Sequence, residues 1–158
     1  MHSQYLSNLA IGERFQDYVA DVYLRHFNVE VGMYTTKAQQ VAFGESRLGV
    51  ECKYDSIYHR TKNFFIETHE RHDVSAEYKP SGPFHKNRPN FICIGSHVRG
   101  EIWTLRPEDL KAECDSGQWP EIENRIQCGI GFLLPVERAS EICVWRLADD
   151  KVIETANL

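Results

Sequence analysis

The segment Phe43 to Tyr54, FGESRLGVECKY, constrains this chain more than any other, because its glycine fixes where a turn can fall and its charges then converge. In a three-residue hairpin loop the last position is commonly a left-handed glycine, which makes Arg47, Leu48 and Gly49 the natural loop. Ser46 then faces Val50, and Glu45 falls opposite Glu51 with Cβ atoms about 5 Å apart. Lys53 joins the same face because strand side chains alternate, while Val50, Cys52 and Tyr54 point the other way. Two carboxylates directly opposite each other destabilise a strand pair unless a cation lies between them, and hard divalent ions such as Mg2+ favour oxygen ligands of this kind. The plainer reading of Glu51 to Asp55 is the polar/apolar alternation of any half-exposed antiparallel strand, so acids elsewhere in the chain have to decide between the two.

The rest of the chain sets the frame for that decision. Its 158 residues suit one domain spanning 1–158, long enough to bury a core. Apolar residues at 42% and charged residues at 26% are those of a soluble globular protein. No apolar run nears the roughly 18 residues of a membrane span, and the N-terminus lacks the pattern of a secretory signal, so a cytosolic setting is expected. Five cysteines without a CxxC pair read as buried free thiols rather than disulfides or a zinc site. A net charge of −5 argues against a general polyanion binder. The charge is uneven, however: residues 51–100 carry eight Lys/Arg against six Asp/Glu, and residues 101–158 carry six against twelve. Any nucleic-acid contact belongs in the middle third.

Ser7 to Phe27 has apolar residues at helical spacing, with Ser7 or Asn8 as its cap, and places Glu13 at the edge of the apolar arc. Asn28 to Tyr34, Gln40 to Ser46 and Val50 to Asp55 read as three short strands, and Asn63 to His69 as a further arm of the same hairpin system. Residues 73–90, with Pro80, Gly82, Pro83 and Pro89, form a loop. Phe91 to Ser96 and Glu101 to Leu105 make a hairpin around Arg99 and Gly100, and Pro107 opens a short helix to about Cys114. Arg125 to Leu134 is an extended run, Pro135 to Ile142 a short helix, and Val144 to Leu147 a last strand.

Glu67 lies mid-strand in NFFIET, with Phe65 on its face and Phe64 and Ile66 on the other. An ionised carboxylate is costly to bury alone, which calls for Lys53 or a metal beside it; a plain edge-strand glutamate is the alternative. With Glu51-Cys52-Lys53 as an ExK element, Glu45 before it and Glu13 on the first helix, the chain resembles the PD-(D/E)xK nuclease superfamily. GESRLGVECKYD followed by NFFIE and PSGPF is similar to small phage and mobile-element members that pair a G-E-x5-E-x-K segment with an N-x-x-I-E strand. The likeness covers about residues 9–105. It departs from the family pattern at Glu45, which stands where an aspartate preceded by proline is commoner.

The resemblance implies an α/β fold of the restriction-endonuclease-like type, with a mixed β-sheet, an N-terminal helix and flanking short helices. It also implies Mg2+- or Mn2+-dependent hydrolysis of DNA phosphodiesters. Glu45, Glu51, Lys53 and Glu67 would be the catalytic set, with metal ligation from Glu45, Glu51, the carbonyl of Cys52 and, through water, Glu13. Lys53 would orient the attacking water or stabilise charge on the phosphate, and Glu67 would position Lys53. His59, Arg60, Lys62, Lys79, Lys86 and Arg88, in two flanking loops, are the candidate DNA contacts. Homodimerisation would suit cutting of both strands. The runner-up is a catalytically degenerate protein of this fold that binds DNA or a protein in phage and host conflict. Other signals carry less. His69 and His72 lack the companion ligands of a zinc site. Ser81 has no hydrolase elbow around it. Gly129 and Gly131 lack a phosphate-loop lysine, and Trp103, Trp119 and Trp145 read as core or rim aromatics.

Overall fold

A computed structural model describes residues 2–85, 89–124 and 128–155, without the side chains of 2–8, 37 and 41. The first helix, α1 (His2–Phe27), begins five residues before the expected cap. Its apolar positions bury Phe15, Val19 and Val22 completely, each worth about 1.5 to 3 kcal/mol of transfer free energy. No helix among the described residues is long and apolar enough to cross a membrane, and α1 itself carries Glu13, Arg14, Asp17, Asp21 and Arg25.

The next segment corrects the expected strands at 28–34 and 40–46. Residues 28–36 are irregular, and Lys37–Phe43 form a helix, α2. Thr36 caps it by accepting the Gln39 N–H, and Gly44 ends it at φ 85°. Lys, Ala and Gln are strong helix formers, so the cap and composition prevail over a weak apolar alternation. The stretch around Glu45 then pairs back onto residues 32–34, through the Met33 to Ser46 bridge and the Tyr34 N–H to Glu45 carbonyl bond.

Strand β1 (Val50–Tyr54) follows, then a one-turn helix α3 (Tyr58–Thr61) and β2 (Asn63–Glu70). The two-residue β3 (Lys79–Pro80) and a 3-10 turn at Gly82–Phe84 interrupt the expected loop. β4 (Phe91–Ser96) and β5 (Glu101–Leu105) form the expected hairpin, and α4 (Pro107–Asp115) opens at its proline. After β6 (Glu121–Asn124) come β7 (Gly129–Pro135), α5 (Val136–Ile142), β8 (Trp145–Ala148) and β9 (Lys151–Glu154). β6 and β9 were not expected from the sequence. The β8 to β9 turn places Asp149 and Asp150 at φ 52° and 56°, the twist that a tight two-residue hairpin needs.

The strands form two sheets rather than one. A five-stranded mixed sheet runs β1-β4-β5-β8-β9, with β1 parallel to β4 and the other neighbours antiparallel. A four-stranded antiparallel sheet runs β3-β2-β7-β6. The alternation expected along β1 holds. Val50, Cys52 and Tyr54 pack with the α1 side chains, together with Cys93, Ile102 and Leu147. The opposite face of the larger sheet contributes Ile92, Ile94, Trp103 and Leu105 to a second core, which Phe64, Ile66, Phe132 and Leu134 of the smaller sheet complete. The molecule is thus mixed α/β, with the N-terminal helix on one face of a mixed sheet and a second sheet joined to the other. Edge strand β1 carries Glu51 and Lys53 away from the α1 core. The five cysteines are free thiols.

Candidate active site

The loop before β1 keeps its expected turn but not its expected hairpin. Gly49 is left-handed at φ 67° and donates its N–H to the Ser46 carbonyl, and the Ser46 hydroxyl accepts the Val50 N–H at 2.8 Å. Because β1 pairs with β4 and not with residues 40–46, Glu45 does not face Glu51 across a strand pair. It reaches the same place along another route: its Oε2 accepts the Cys52 N–H at 2.8 Å, on the unpaired edge of β1. Within a strand, the N–H and C=O of one residue point to the same edge, so the Cys52 carbonyl shares that edge with the Glu45 carboxylate. The Cys52 thiol lies on the other face and is pushed up by burial, which keeps it neutral.

Glu51 and Lys53, on one face of β1, form an ion pair of 2.8 Å. The Lys53 side chain is 42% exposed and that of Glu51 15%. Crowding pulls the Lys53 ammonium down, but Glu51, Glu45 and Glu67 outweigh that and hold it above the ordinary lysine value. It therefore carries a firm positive charge at neutral pH. Glu67 shifts the other way for a carboxylate. Burial raises it, and Glu70 and Glu51 add to the rise, against Lys53 and a 2.8 Å hydrogen bond from the Ser81 hydroxyl. Three of the four expected acids thus act on one ammonium.

These groups sit where two clefts meet. A cleft of about 710 Å³ is lined by Glu51, Lys53 and Glu67 together with Ile11, Ile57 and Phe65. A smaller one of about 230 Å³ is lined by Glu45, Glu51, Lys53, Glu70, Ser81 and His85. Glu13 lies outside both: it is exposed on α1, although its neighbour Gly12 lines the larger cleft. A polar side chain of α1 that does reach the site is Gln16, one helical turn beyond Gly12, whose Nε2 lies 3.5 Å from Glu45 Oε2. Among the described residues, no group of three or more His, Cys, Asp or Glu side chains is arranged to hold a metal.

Sequence reasoning missed Gln16, Ser81, Glu70 and His85. Nothing in the sequence marks Gln16, whereas Ser81 falls in the PSGPF segment. Gly82 lies so close that a Cβ there would stand 2.9 Å from the Glu67 carbonyl. Of the candidate DNA contacts, His59 and Arg60 are exposed on α3, whose preceding residues Ser56 and Ile57 rim the larger cleft. Lys62 caps the C-terminus of α3 at φ 60°, and Lys79 is exposed opposite Glu70. Lys86 and Arg88 lie outside the described residues.

No protein-family model matches the chain, and no curated protein or solved structure matches it at a significant level.

Proposed function

We propose that the chain is a Mg2+- or Mn2+-dependent DNA nuclease of the PD-(D/E)xK kind, on a restriction-endonuclease-like variant of the mixed α/β fold. The observation that carries this reading is Lys53, ion-paired with Glu51 at 2.8 Å and acted on by Glu45 and Glu67, at the junction of two clefts. An ordinary surface ion pair has no use for three converging carboxylates, whose mutual repulsion has to be offset.

The donors at the β1 edge are all oxygens, Glu45 and Glu51 carboxylates with the Cys52 carbonyl, which suits a hard divalent cation and not a thiophilic one. A divalent ion bound there would polarise a phosphoryl oxygen and acidify a water. Lys53 would place its ammonium against the charge that gathers on the phosphate. Glu67, fixed by Ser81, would hold Lys53 in register, and Gln16 would orient the Glu45 carboxylate. Glu13, exposed and outside both clefts, would contribute at most through water.

The second reading, a degenerate site that binds DNA or a protein partner without cutting, draws on a specific observation. Glu45 Oε2 already accepts a backbone N–H, and the described acids do not form a three-donor group. A cleavage assay on single-stranded and duplex DNA with Mg2+, Mn2+ or EDTA, run beside Lys53→Ala and Glu51→Gln, separates the two. Cleavage that needs the metal and both side chains supports the nuclease. Mn2+ binding and cleavage both absent from the folded wild-type protein would leave the degenerate reading.

A further inference from the structure

The larger cleft differs from the smaller in its walls, and that difference bears on what the site takes. Phe64 is buried against Tyr58 and Trp103 at ring separations of 5.0 and 5.1 Å. Phe65, the next residue, points to the other face of β2 and lines the larger cleft with no ring partner among the described residues. Ile57, 48% exposed, and Ile11 line the same cleft, and Leu133, 40% exposed, is paired with Phe65 across β2 and β7. Glu67 follows Phe65 by two positions on the same strand face. An apolar wall with a free aromatic ring therefore runs directly into the Glu51, Lys53 and Glu67 cluster.

We propose that this cleft receives an unpaired nucleobase, so that the substrate is a single-stranded nucleic acid or a frayed end; this rests on the nuclease reading above. At about 710 Å³ the cleft is of the size that encloses small organic ligands. A base on Phe65 would bring its adjoining phosphodiester to Lys53. A base held in a duplex cannot enter such a cleft without being flipped out of the stack. Duplex binding also draws its affinity from many phosphate contacts, whereas this chain has a net charge of −5 and few exposed cations among the described residues of the flanking segments: Arg60, Lys62 and Lys79. Single-strand binding adds the stacking of bases on aromatic rings to its phosphate contacts.

The test is fluorescence anisotropy of the full chain in EDTA with a labelled DNA 12-mer, its duplex and an RNA of the same sequence. Cleavage of the same three is followed in Mn2+, and the DNA and RNA strands distinguish the two sources of unpaired base. Single strands are expected to bind at least about tenfold more tightly than the duplex, with Phe65→Ala weakening that binding by about fivefold or more. Ile57→Ser, at an exposed position, is expected to act in the same direction and guards against misfolding of the Phe65 variant. Equal affinity for duplex and single strands, or single-strand affinity unchanged in both folded variants, overturns the inference; Lys53-dependent cleavage in Mn2+ would then leave the nuclease standing. Neither binding nor cleavage of any of the three overturns both.

Discussion

Lys53 Nζ lies 2.8 Å from Glu51 Oε1, a pairing of residues two apart on the unpaired edge of a five-stranded sheet. The pair is partly exposed, so its worth to stability is small, about 1 kcal/mol or less. On the nuclease reading its worth to a reaction at the cleft would be larger, because an ammonium fixed beforehand beside developing phosphate charge costs no reorganisation. Lys53→Ala is expected to cut Mn2+-dependent cleavage by at least about 100-fold while shifting the denaturation midpoint little. Initial rates measured beside a thermal melt check this, and undiminished cleavage would remove the lysine from the reaction.

Glu67 gives a pH signature. Burial holds it above the ordinary glutamate value of 4.5, so folding favours its protonated form. Its contribution to stability is fully present below pH 4.5 and is lost as pH rises through the folded value. Glu67→Gln stays neutral throughout. The variant is therefore expected to gain stability relative to the wild type as pH climbs above 4.5, in urea titrations taken at several pH values. On the nuclease reading it is also expected to lose cleavage, because the amide no longer offers Lys53 a negative charge. A stability difference that does not change with pH would show that Glu67 is not held up in the folded state.

The sequence made β1 and its two faces readable because polar/apolar alternation is a local signal, and Gly49 marked its turn for the same reason. Glu45 does reach the edge of β1 near Glu51 and Lys53, but not by the expected route. A hairpin there needs strands adjacent in sequence to pair, but β1 pairs with β4, about forty residues on, and only long-range packing decides that. The helix α2 was missed although Thr36 and KAQQ marked it, since the apolar Val41, Ala42 and Phe43 invited a strand. Glu67 was legible as a mid-strand acid that needs a partner, whereas its hydrogen bond from Ser81 depends on how the proline-rich loop folds back across β2.

Gly129 is the residue that makes room for Glu67. A Cβ on it would stand 2.6 Å from Glu67 Oε2, the far end of a flexible side chain and not backbone. Gly129→Ala is expected to cost little stability, about 1 kcal/mol or less, because the carboxylate swings aside. The displaced carboxylate loses its place near Lys53 and the Ser81 hydroxyl. Cleavage should therefore fall about tenfold or more in a variant whose melting curve is nearly that of the wild type. A matched loss of stability and activity would point to general disruption instead.

Glu113, which lines neither cleft, provides a control. Buried between α4 and α5, it accepts two bonds from the Arg138 guanidinium, at 2.9 and 2.6 Å, and one from Trp119 Nε1 at 2.9 Å. The Arg138 bonds, with help from Trp119, hold its carboxyl below the ordinary value of 4.5 against the opposing effect of burial. Its contribution to stability is thus present above pH 4.5 and lost as pH falls through the folded value, the opposite sense to Glu67. Glu113→Gln is expected to cost about 2 kcal/mol at pH 7 and to flatten the acid limb of the stability curve, with rates per folded molecule unchanged. Urea unfolding at pH 7 and pH 4 checks both parts. A variant that loses cleavage while keeping its stability would tie the Glu113 and Arg138 pair to the site.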